Sequence, residues 1–147
     1  MQSNGVTSIV REHFDSLATQ YDAKSSVRAK YLSAINMLIL RKIREENKIS
    51  GKVLDVGCGT GTRAKAIFSA LPMIEIYGSD ISPKMLMIAK TKGLAGLVNS
   101  DMQFLPFQDE SFESITCLFN VIGYLSTPIQ RIRAFREFHR VLKSSGL

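Results

Sequence analysis

Four residues in the middle of the chain have the types and the spacing to hold a nucleoside. Gly57, Gly59 and Gly61 alternate with other residues in VLDVGCGTGT, at positions 53–62. Glycine has no Cβ atom, so the backbone there can turn sharply and approach a ligand closely. Asp80 ends the next apolar run, and a carboxylate about 20 residues beyond such a turn can accept hydrogen bonds from ribose hydroxyls. The pattern therefore indicates a nucleoside-binding site.

A strand, a turn and a helix are needed to position these residues, and the sequence predicts all three. The apolar run from Val53 to Val56 is too short for a helix and predicts a buried strand. Residues 62–71 have helical spacing, and a second strand is predicted over residues 74–79, directly before Asp80. The predicted buried face of the helix consists of Ala64, Ile67, Phe68 and Leu71. A glycine motif in this context is far more specific than glycines alone.

The glycine spacing differs from that of a dinucleotide site, which has the pattern G-x-G-x-x-G. The third glycine of that pattern would fall where this chain has Thr62. Asp55 precedes the turn, and a buried carboxylate there would repel a pyrophosphate. Asp55 would instead suit a cationic ligand, or it would accept backbone N–H bonds and hold the loop. Both departures disfavour a nicotinamide dinucleotide as the ligand.

The stretch from Asp55 to Gly61 resembles the first motif of the class I S-adenosylmethionine-dependent methyltransferases, in which a hydrophobic strand runs into D-x-G-C-G-T-G. Seven consecutive positions match, and Asp80 lies at the matching distance. The resemblance implies that S-adenosylmethionine is the cofactor and S-adenosylhomocysteine the product. It also implies cofactor contacts from Asp55, Gly57, Cys58, Gly59, Thr60, Gly61, Asp80 and Ile81. Cys58 is not expected to act as a nucleophile.

The resemblance continues in NSDMQFLPFQDESFESITCLFN, at residues 99–120, which is similar to the third motif and the fourth strand of the family. It implies that Asp101 accepts a hydrogen bond from the exocyclic amine of adenine and that Met102 lies beside the ring. Residues 114–119 are apolar and compact, as in a central buried strand. Asn120 ends this strand and is a further expected cofactor contact.

The first 50 residues are predicted to form two helices and no separate domain. The apolar face of the first consists of Val10, Phe14, Leu17, Ala18 and Tyr21, and that of the second of Tyr31, Ile35, Leu38, Ile39 and Ile43. FDSLATQYD, residues 14–22, resembles the F-D-x-x-A-x-x-Y-D entry of small-molecule methyltransferases. This resemblance implies a lid in which Tyr21 contacts the cofactor. The alternative is that Phe14 and Tyr21 only pack the helix onto the core.

The expected fold is α/β, with a Rossmann-like parallel sheet flanked by helices in a single S-adenosylmethionine-binding domain of residues 1–147. Residues 1–50 would be the helical lid and residues 51–147 the Rossmann-like core. RVLKSSGL, residues 140–147, resembles the R-V-L-K-P-G-G turn of the family, after which two more strands normally follow. We therefore expect a sheet truncated before these strands, in a piece of a longer protein or in a short protein that completes its sheet through a partner chain. An exposed edge favours self-association.

The composition is that of an ordinary globular chain, 45% hydrophobic and 22% charged over 147 residues. No run of about 18 apolar residues is present, and the first residues, MQSNGVTS, lack the basic and apolar pattern of a leader. Cys58 and Cys117 form no zinc or disulfide pattern. We therefore expect a cytoplasmic protein with no membrane partner and no metal.

The net charge of +6 comes from the two ends of the chain. Residues 51–110 carry six Lys/Arg and six Asp/Glu, whereas residues 111–147 carry five and two. On the last predicted helix, a basic face of Arg133, Arg136, Arg140 and Lys143 lies opposite Ile132, Phe135, Phe138 and Leu142. Such a face would suit nucleic acid, or it would simply be solvated. Because the aromatic residues of this helix are on the opposite face and not among the charges, nucleic acid is the less favoured partner.

The prediction for the methyl acceptor depends on the two histidines and on the residues that follow the fourth predicted strand. The two histidines are His13 and His139, and a lone histidine is more often structural or solvated than catalytic, so no catalytic residue is assigned. CLFNVIGYLST, residues 117–127, resembles sugar-amine N-methyltransferases and favours a small-molecule acceptor. The expected function is methyl transfer to such an acceptor by in-line displacement, driven by proximity and orientation. The alternatives are a cofactor-binding subunit without catalysis and an RNA-modifying enzyme that uses the basic helix faces.

Overall fold

The computed structural model describes residues 4–25 and 29–147. This part starts with helices α1 (Asn4–Leu17), α2 (Tyr21–Ser25) and α3 (Ala29–Glu45), with a 3₁₀ turn at Ala18–Gln20. Strands and helices follow in the order β1 (Ser50–Val56), α4 (Thr62–Phe68), β2 (Met73–Asp80), α5 (Pro83–Lys90), β3 (Gly96–Asn99), β4 (Ser114–Thr116), a 3₁₀ helix (Val121–Tyr124) and α6 (Pro128–Val141). No helix in these ranges is both long and apolar enough to span a membrane.

The strands of the described residues form one parallel sheet in the order β3-β2-β1-β4. The register places Val53 of β1 opposite Ile76 of β2 on one side and opposite Ser114 of β4 on the other. Along the chain, β2 and β3 lie on one side of β1, and β4 lies on its other side. In sheets whose strand order reverses in this way, a crevice opens at the carboxyl ends of the strands beside the reversal. The predicted Rossmann-like α/β fold is confirmed.

Side chains alternate along β1 and therefore pack into two different layers. Val53 belongs to a cluster on one side of the sheet that also contains Ile43, Ala64, Ile67, Phe68, Leu71 and Ile76. Leu54 and Val56 belong to a second cluster, with Leu105, Phe112 and Val141. By the same alternation Asp55 shares the face of Val53, two residues nearer the carboxyl end of the strand. A carboxylate is thus carried to the crevice by the buried half of a strand whose neighbouring residues, Val53, Leu54 and Val56, are core.

The helices that cover the sheet agree only in part with the predicted faces. The face of α4 is confirmed, because Ala64, Ile67, Phe68 and Leu71 are all buried, although the helix ends at Phe68. The face of α3 is partly wrong, since Tyr31 is 65% and Leu38 is 55% exposed. Ile43 is buried and Ile39 packs on the first core cluster, as predicted, but the buried stripe continues through Leu32 and not through Tyr31 or Leu38. Packing of α3 against α4 selects this stripe over the neighbouring apolar one.

The fourth strand is shorter than predicted and lies at one end of the described sheet. The strand ends at Thr116, and the chain takes left-handed backbone conformations at Phe119 (φ 59°) and Asn120 (φ 65°). An extended strand cannot continue through such residues. The predictions of a strand over residues 114–119 and of a central position are therefore wrong for the described residues.

Part of the outer edge of β4 is paired within the chain. The N–H of Ile115 donates to the carbonyl of Leu147 at 2.8 Å, and the N–H of Leu147 donates to the carbonyl of Glu113 at 3.1 Å. Lys143 forms an ion pair with the side chain of Glu113. These contacts place residues 143–147 beside β4, in line with a parallel ladder.

Helix α6 is only partly amphipathic in the way the sequence predicts. It begins at a capping box, in which Thr127 Oγ1 accepts from the N–H of Gln130 and Gln130 Oε1 accepts from the N–H of Thr127. Ile132 and Phe135, on the predicted apolar face, are 52% and 59% exposed, whereas Ala134 is fully buried. The buried residues of the helix are Gln130, Ala134 and Val141, so part of the predicted apolar face lies on the surface of the described chain.

The basic face of α6 is not uniformly solvated either. Arg140 donates to both carboxylate oxygens of Glu137 and to Asp109, each at 2.8 Å. The same guanidinium donates to the carbonyls of Leu105 and Phe107 at 2.8 Å. Arg140 thus anchors the L-P-F loop, residues 105–107, to α6 rather than facing solvent.

Candidate functional site

A cavity of about 480 Å³ lies at the carboxyl ends of the strands, next to α1 and α2. This volume is in the range of small-molecule binding sites. The cavity is lined by most of the residues predicted to bind the cofactor, namely Tyr21, Asp55, Gly57, Cys58, Gly59, Thr60, Asp80, Ile81, Asp101 and Met102. The parallel register brings together those of them that lie on or directly after β1 and β2, because these two strands end side by side.

Asp80 is held by the glycine loop and by the turn that follows β2. Its Oδ2 accepts from the N–H of Gly59 at 2.8 Å, and its Oδ1 accepts from the N–H of Ser82 at 2.9 Å. Burial raises the pKa of Asp80, and these hydrogen bonds partly offset that increase. An ionised carboxylate has about four acceptor sites, so both oxygens keep capacity for a ligand that donates.

Asp55 is the most buried acid of the site, at 4% exposure. The hydroxyl of Thr116 on β4 donates to its Oδ1 at 2.6 Å. Burial raises the pKa of Asp55 to about 7, and the nearby charge of Asp80 contributes to the increase. A cation placed beside this carboxylate would favour its charged form. Of the two predicted roles, a cationic ligand therefore suits the electrostatics of this residue.

The glycine loop has conformations and contacts that require glycine. Gly57 and Gly59 have φ of 72° and 53°, and a Cβ on Gly57 would overlap with the side chain of Val121. The N–H groups of Gly57 and Cys58 both donate to the carbonyl of Ser79, at 2.8 and 3.0 Å. The loop is thus fastened to the end of β2.

Cys58 lines the cavity and also packs against the sheet. A Cβ on Gly78 of β2 would lie 2.7 Å from its Sγ, so the thiol occupies the space that this glycine leaves. Burial strongly raises the pKa of the Cys58 thiol. A thiol that stays protonated is a poor nucleophile, in agreement with the expectation that Cys58 is not one.

Two of the predicted contacts, Gly61 and Asn120, are not among the residues that line the cavity. Gly61 is buried with φ of 73°, and a Cβ there would press on Leu94 and Ala89. Asn120 is exposed, and its side chain lies over Gly123 in the 3₁₀ helix. Its left-handed backbone turns the side chain away from the strand direction that the prediction assumes.

Asp101 and Met102 follow β3 and line the cavity on that side. Asp101 Oδ1 accepts from the backbone N–H of Gln103 at 2.9 Å, and its Oδ2 accepts from the amide of the same residue at 3.1 Å. Met102 packs against the second core cluster. The carboxylate is therefore held by its own turn in a fixed orientation.

Two carboxylates that sequence reasoning missed join the amino-terminal helices to the core. The first, Asp15 of α1, accepts from the hydroxyl of Ser82 at 2.5 Å and from the N–H of Lys84 at 3.2 Å. Both donors lie at the start of α5, directly after Asp80. Asp15 is the aspartate of the F-D pair in FDSLATQYD, so this motif carried the signal.

Asp22 of α2 makes the corresponding contact with the glycine loop. Its two oxygens accept from the hydroxyls of Thr60 at 2.7 Å and Thr62 at 2.9 Å, and Lys92 lies 3.6 Å away. Burial alone would raise the pKa of Asp22, but these hydroxyls and the lysine outweigh it and lower the pKa. Asp22 follows Tyr21 in the same motif, so one short segment positions the aromatic side chain and fastens it.

Several aromatic residues also line the cavity. Phe14 makes edge-to-face contacts with Tyr124 at 5.2 Å, with His13 at 5.3 Å and with Tyr21 at 6.4 Å. Burial, followed by nearby Tyr124 and Asp80, raises the pKa of Tyr21. His139 is exposed on α6 and lies outside the cavity. No group of His, Cys, Asp and Glu among the described residues could hold a metal ion.

The polar groups of the cavity fit S-adenosylmethionine. This molecule has ribose hydroxyls and an adenine amine that donate, together with sulfonium and ammonium cations. The cavity presents the carboxylates of Asp55, Asp80 and Asp101, and its glycine loop leaves open space at Gly59, where a Cβ would meet only Tyr21 within 4 Å. Carboxylates for the ribose hydroxyls, for the adenine amine and for the cationic part are thus present in one cavity.

Comparison with known proteins agrees with this assignment. A family profile described as "Methyltransferase domain" matches residues 53–146. Demethylmenaquinone methyltransferase of Thermotoga maritima is 35% identical over 139 residues, which are 90% of this chain and 56% of that protein. Probable tRNA methyltransferase 9B of Homo sapiens is 34% identical over 107 residues, 73% of this chain and 22% of that protein.

A solved structure extends the similarity to the fold. The sugar N-methyltransferase KedS8 of Streptoalloteichus superposes with a TM-score of 0.71 at 29% identity, over 86% of this chain and 50% of that chain. The chain spans about half the length of the curated relatives it matches, from 49% to 60% for the first of them. By its matched profile, its fold and the chemistry of its cavity, the chain belongs to the class I S-adenosylmethionine-dependent methyltransferases, and S-adenosylmethionine is its cofactor.

Proposed function

We propose that this chain binds S-adenosylmethionine in the cavity and transfers its methyl group to a small-molecule acceptor. The observation that carries the proposal is that Asp55 and Asp80, both buried, line one cavity together with the glycine loop and the aromatic residues Phe14, Tyr21 and Tyr124. Buried carboxylates are costly unless a ligand or a partner uses them. The cations and hydroxyls of the cofactor would bind to the carboxylates, and an organic acceptor would pack against the aromatic residues.

Each acid has a separate role in this proposal. Asp80 accepts from the ribose hydroxyls, and Asp101 accepts from the adenine amine with Met102 against the ring. Asp55 faces the cationic part of the cofactor, which favours the ionised form of a carboxylate whose pKa is about 7. The backbone of Gly57 and Gly59 passes close to the methionine part.

The bound cofactor supplies an already activated methyl group. The chain therefore needs mainly to align the two reactants and to exclude water from them. Orientation of two bound reactants contributes roughly 7–11 kcal/mol to lowering a barrier. We propose that residues 1–147 form one cofactor-binding domain. Of the predicted lid region, residues 1–50, α1 and α2 act as the lid, whereas α3 packs against α4 and places Ile43 in the core. Asp15 and Asp22 hold this lid on the core, and Tyr21 closes over the cofactor.

The aromatic residues of the cavity support a small acceptor with apolar surface. Phe14, Leu17, Phe119 and Tyr124 line the cavity. Similar proteins are named a demethylmenaquinone methyltransferase and a sugar N-methyltransferase. A neutral amine needs no strong base, whereas a hydroxyl or acidic carbon does. His13 lines the cavity and is the imidazole available for such a proton.

The cofactor part of the proposal is tested by calorimetry on the purified chain. S-adenosylmethionine and S-adenosylhomocysteine are expected to bind with micromolar affinity, and NADH serves as the control because the glycine spacing disfavours it. A folded sample that binds neither sulfur ligand contradicts the proposal.

The acceptor is tested with cofactor that carries a labelled methyl group. Label is expected in small molecules of a metabolite extract and not in RNA. Label in RNA would favour a second candidate function, that of an RNA methyltransferase. Two observations support this candidate: the 34% identity to a probable tRNA methyltransferase and the exposed Arg133 and Arg136. If the chain binds the cofactor but neither it nor a longer chain yields any labelled product, the chain is a cofactor-binding subunit without catalysis.

Free thiols at Cys58 and Cys117 suit a reducing compartment, and the proposed site of action is the cytoplasm. Fractionation of cells that express a tagged chain tests this placement. Recovery with the cytosolic fraction is expected, whereas recovery with a membrane or secreted fraction contradicts it.

A further inference from the structure

One cation of the cavity wall has no acidic partner among the described residues. Arg63 lies in α4 and lines the cavity, and its Nη1 donates to the side-chain oxygen of Asn36 at 3.2 Å. Its guanidinium lies 4.9 Å from the centre of the Phe119 ring. None of the ion pairs in the described part of the chain involves Arg63. A positive charge is thus held at the cavity by a neutral amide and an aromatic face.

The other charges of the cavity do not need this arginine. Asp22 is satisfied by Thr60, Thr62 and Lys92. Asp55 and Asp80 have hydroxyl and backbone donors. Because the cavity contains carboxylates for the cations of the cofactor, Arg63 is the complementary group for an anion.

The position of Arg63 matches one end of the cofactor. Phe119 follows β4 and Asp101 follows β3, and these strands are at opposite ends of the sheet, about 14 Å apart for three strand spacings. The charge of Arg63 interacts with Tyr21, whose ring lies 3.9 Å from the place that a Cβ on Gly59 would take. Adenine placed at Asp101 therefore directs the methionine part toward Arg63. The methionine part ends in the one carboxylate of the molecule.

We propose that Arg63 binds the carboxylate of the methionine part of S-adenosylmethionine. The inference rests on the proposed binding of the cofactor in this cavity. The planar guanidinium offers two parallel N–H donors to a carboxylate. Phe119 supports its face and Asn36 holds one amino group, so the fork is oriented before the ligand arrives.

The test compares two ligands that differ only in the carboxylate, S-adenosylmethionine and its decarboxylated form, by calorimetry on the whole chain. Arg63→Met is expected to weaken binding of S-adenosylmethionine about ten- to a hundred-fold. Binding of the decarboxylated form is expected to change by less than about three-fold, because its missing group is the one that Arg63 contacts. Arg63→Lys is expected to recover part of the loss.

Arg133→Met is the matched control, since Arg133 is exposed on α6 and outside the cavity. It should leave both affinities as in the wild type. Equal losses for both ligands in Arg63→Met, or no loss for either, overturn the assignment of the carboxylate to Arg63 while the cofactor proposal stands. Failure of the wild-type chain to bind either ligand overturns the cofactor proposal and this inference with it.

Discussion

Among single residues, Asp80 is the one whose loss should affect cofactor binding most directly. Hydrogen bonds to a charged acceptor contribute about 1.5–3 kcal/mol. Asp80→Ala is therefore expected to weaken binding of S-adenosylhomocysteine roughly ten- to a hundred-fold. Calorimetry measures the affinity, and a thermal melt of the variant checks that the loop held by Asp80 is still folded.

Glu75→Ala is the control for this variant, because Glu75 lies on the same strand and is exposed. Its affinity should equal that of the wild type. An unchanged affinity in Asp80→Ala would remove Asp80 from the binding site.

The protonation state of Asp55, a residue of the site, makes the free energy of unfolding depend on pH. Burial raises its pKa from 3.8 in the unfolded chain to about 7 in the fold. Between these values only the folded state holds the proton, so this contribution to stability is complete below pH 3.8 and is lost as the pH rises to about 7. Asp55→Asn keeps an oxygen for the Thr116 hydroxyl and carries no charge.

We expect Asp55→Asn to be more stable than the wild type at about pH 8, by up to about 4 kcal/mol, and no more stable at about pH 4. Urea unfolding at the two pH values measures both differences. The same variant should bind S-adenosylmethionine more weakly at the higher pH, since it offers no charge to the cations. A stability difference that does not depend on pH contradicts the raised pKa.

At the scale of elements, a side chain added to the glycine loop can destabilise the fold in two ways, through backbone strain and through overlap with a neighbouring side chain. Gly57→Ala meets both a left-handed backbone and the side chain of Val121, whereas Gly59→Ala meets only the backbone cost, because Tyr21 lies 3.9 Å away. We expect the unfolding free energy to fall by about 2–4 kcal/mol for the first change and by about 1 kcal/mol for the second.

A second-site change tests this explanation. Val121→Ala in the Gly57→Ala background removes the overlapping methyl groups and should recover the packing part of the loss, measured by urea unfolding against Val121→Ala alone. If the double variant is no better than the sum of the single losses, the overlap with Val121 is not the cause.

At the scale of the whole molecule, Arg140 joins α6, the L-P-F loop and the acids Asp109 and Glu137. Removing it leaves backbone carbonyls of the loop without their donor. Arg140→Met is therefore expected to lower the unfolding free energy by about 2 kcal/mol. Arg133→Met, on the same helix and exposed, should change it by less than about 0.5 kcal/mol. Equal effects in urea unfolding would contradict this role of Arg140.

The outer edge of β4 bears on how the chain associates. Leu147 pairs with part of this edge, and Ile132 and Phe135 of α6 are exposed on the surface. We propose, as for any open sheet edge, that the described chain self-associates there. A concentration series in analytical ultracentrifugation tests the proposal, and a monomer at all concentrations contradicts it.

The local parts of the site were predictable from the sequence because their causes are local. A short apolar run makes β1, glycine permits the left-handed turn at Gly57, and helical spacing makes the buried face of α4. Alternation then carries Asp55 to the crevice, and the end of the next strand carries Asp80 there. These residues also match a family motif, so the cofactor followed from the same stretch.

Only the tertiary structure decided how distant segments meet. Packing against α4 selected the buried stripe of α3, and the left-handed turn after β4 moved Asn120 away from the cavity. Asp15, Asp22 and Arg63 acquired their partners from elements that lie far from them along the chain. Periodicity reports which residues share a face, but the partner of that face is set by packing of the whole chain, and that is why these contacts required the structure.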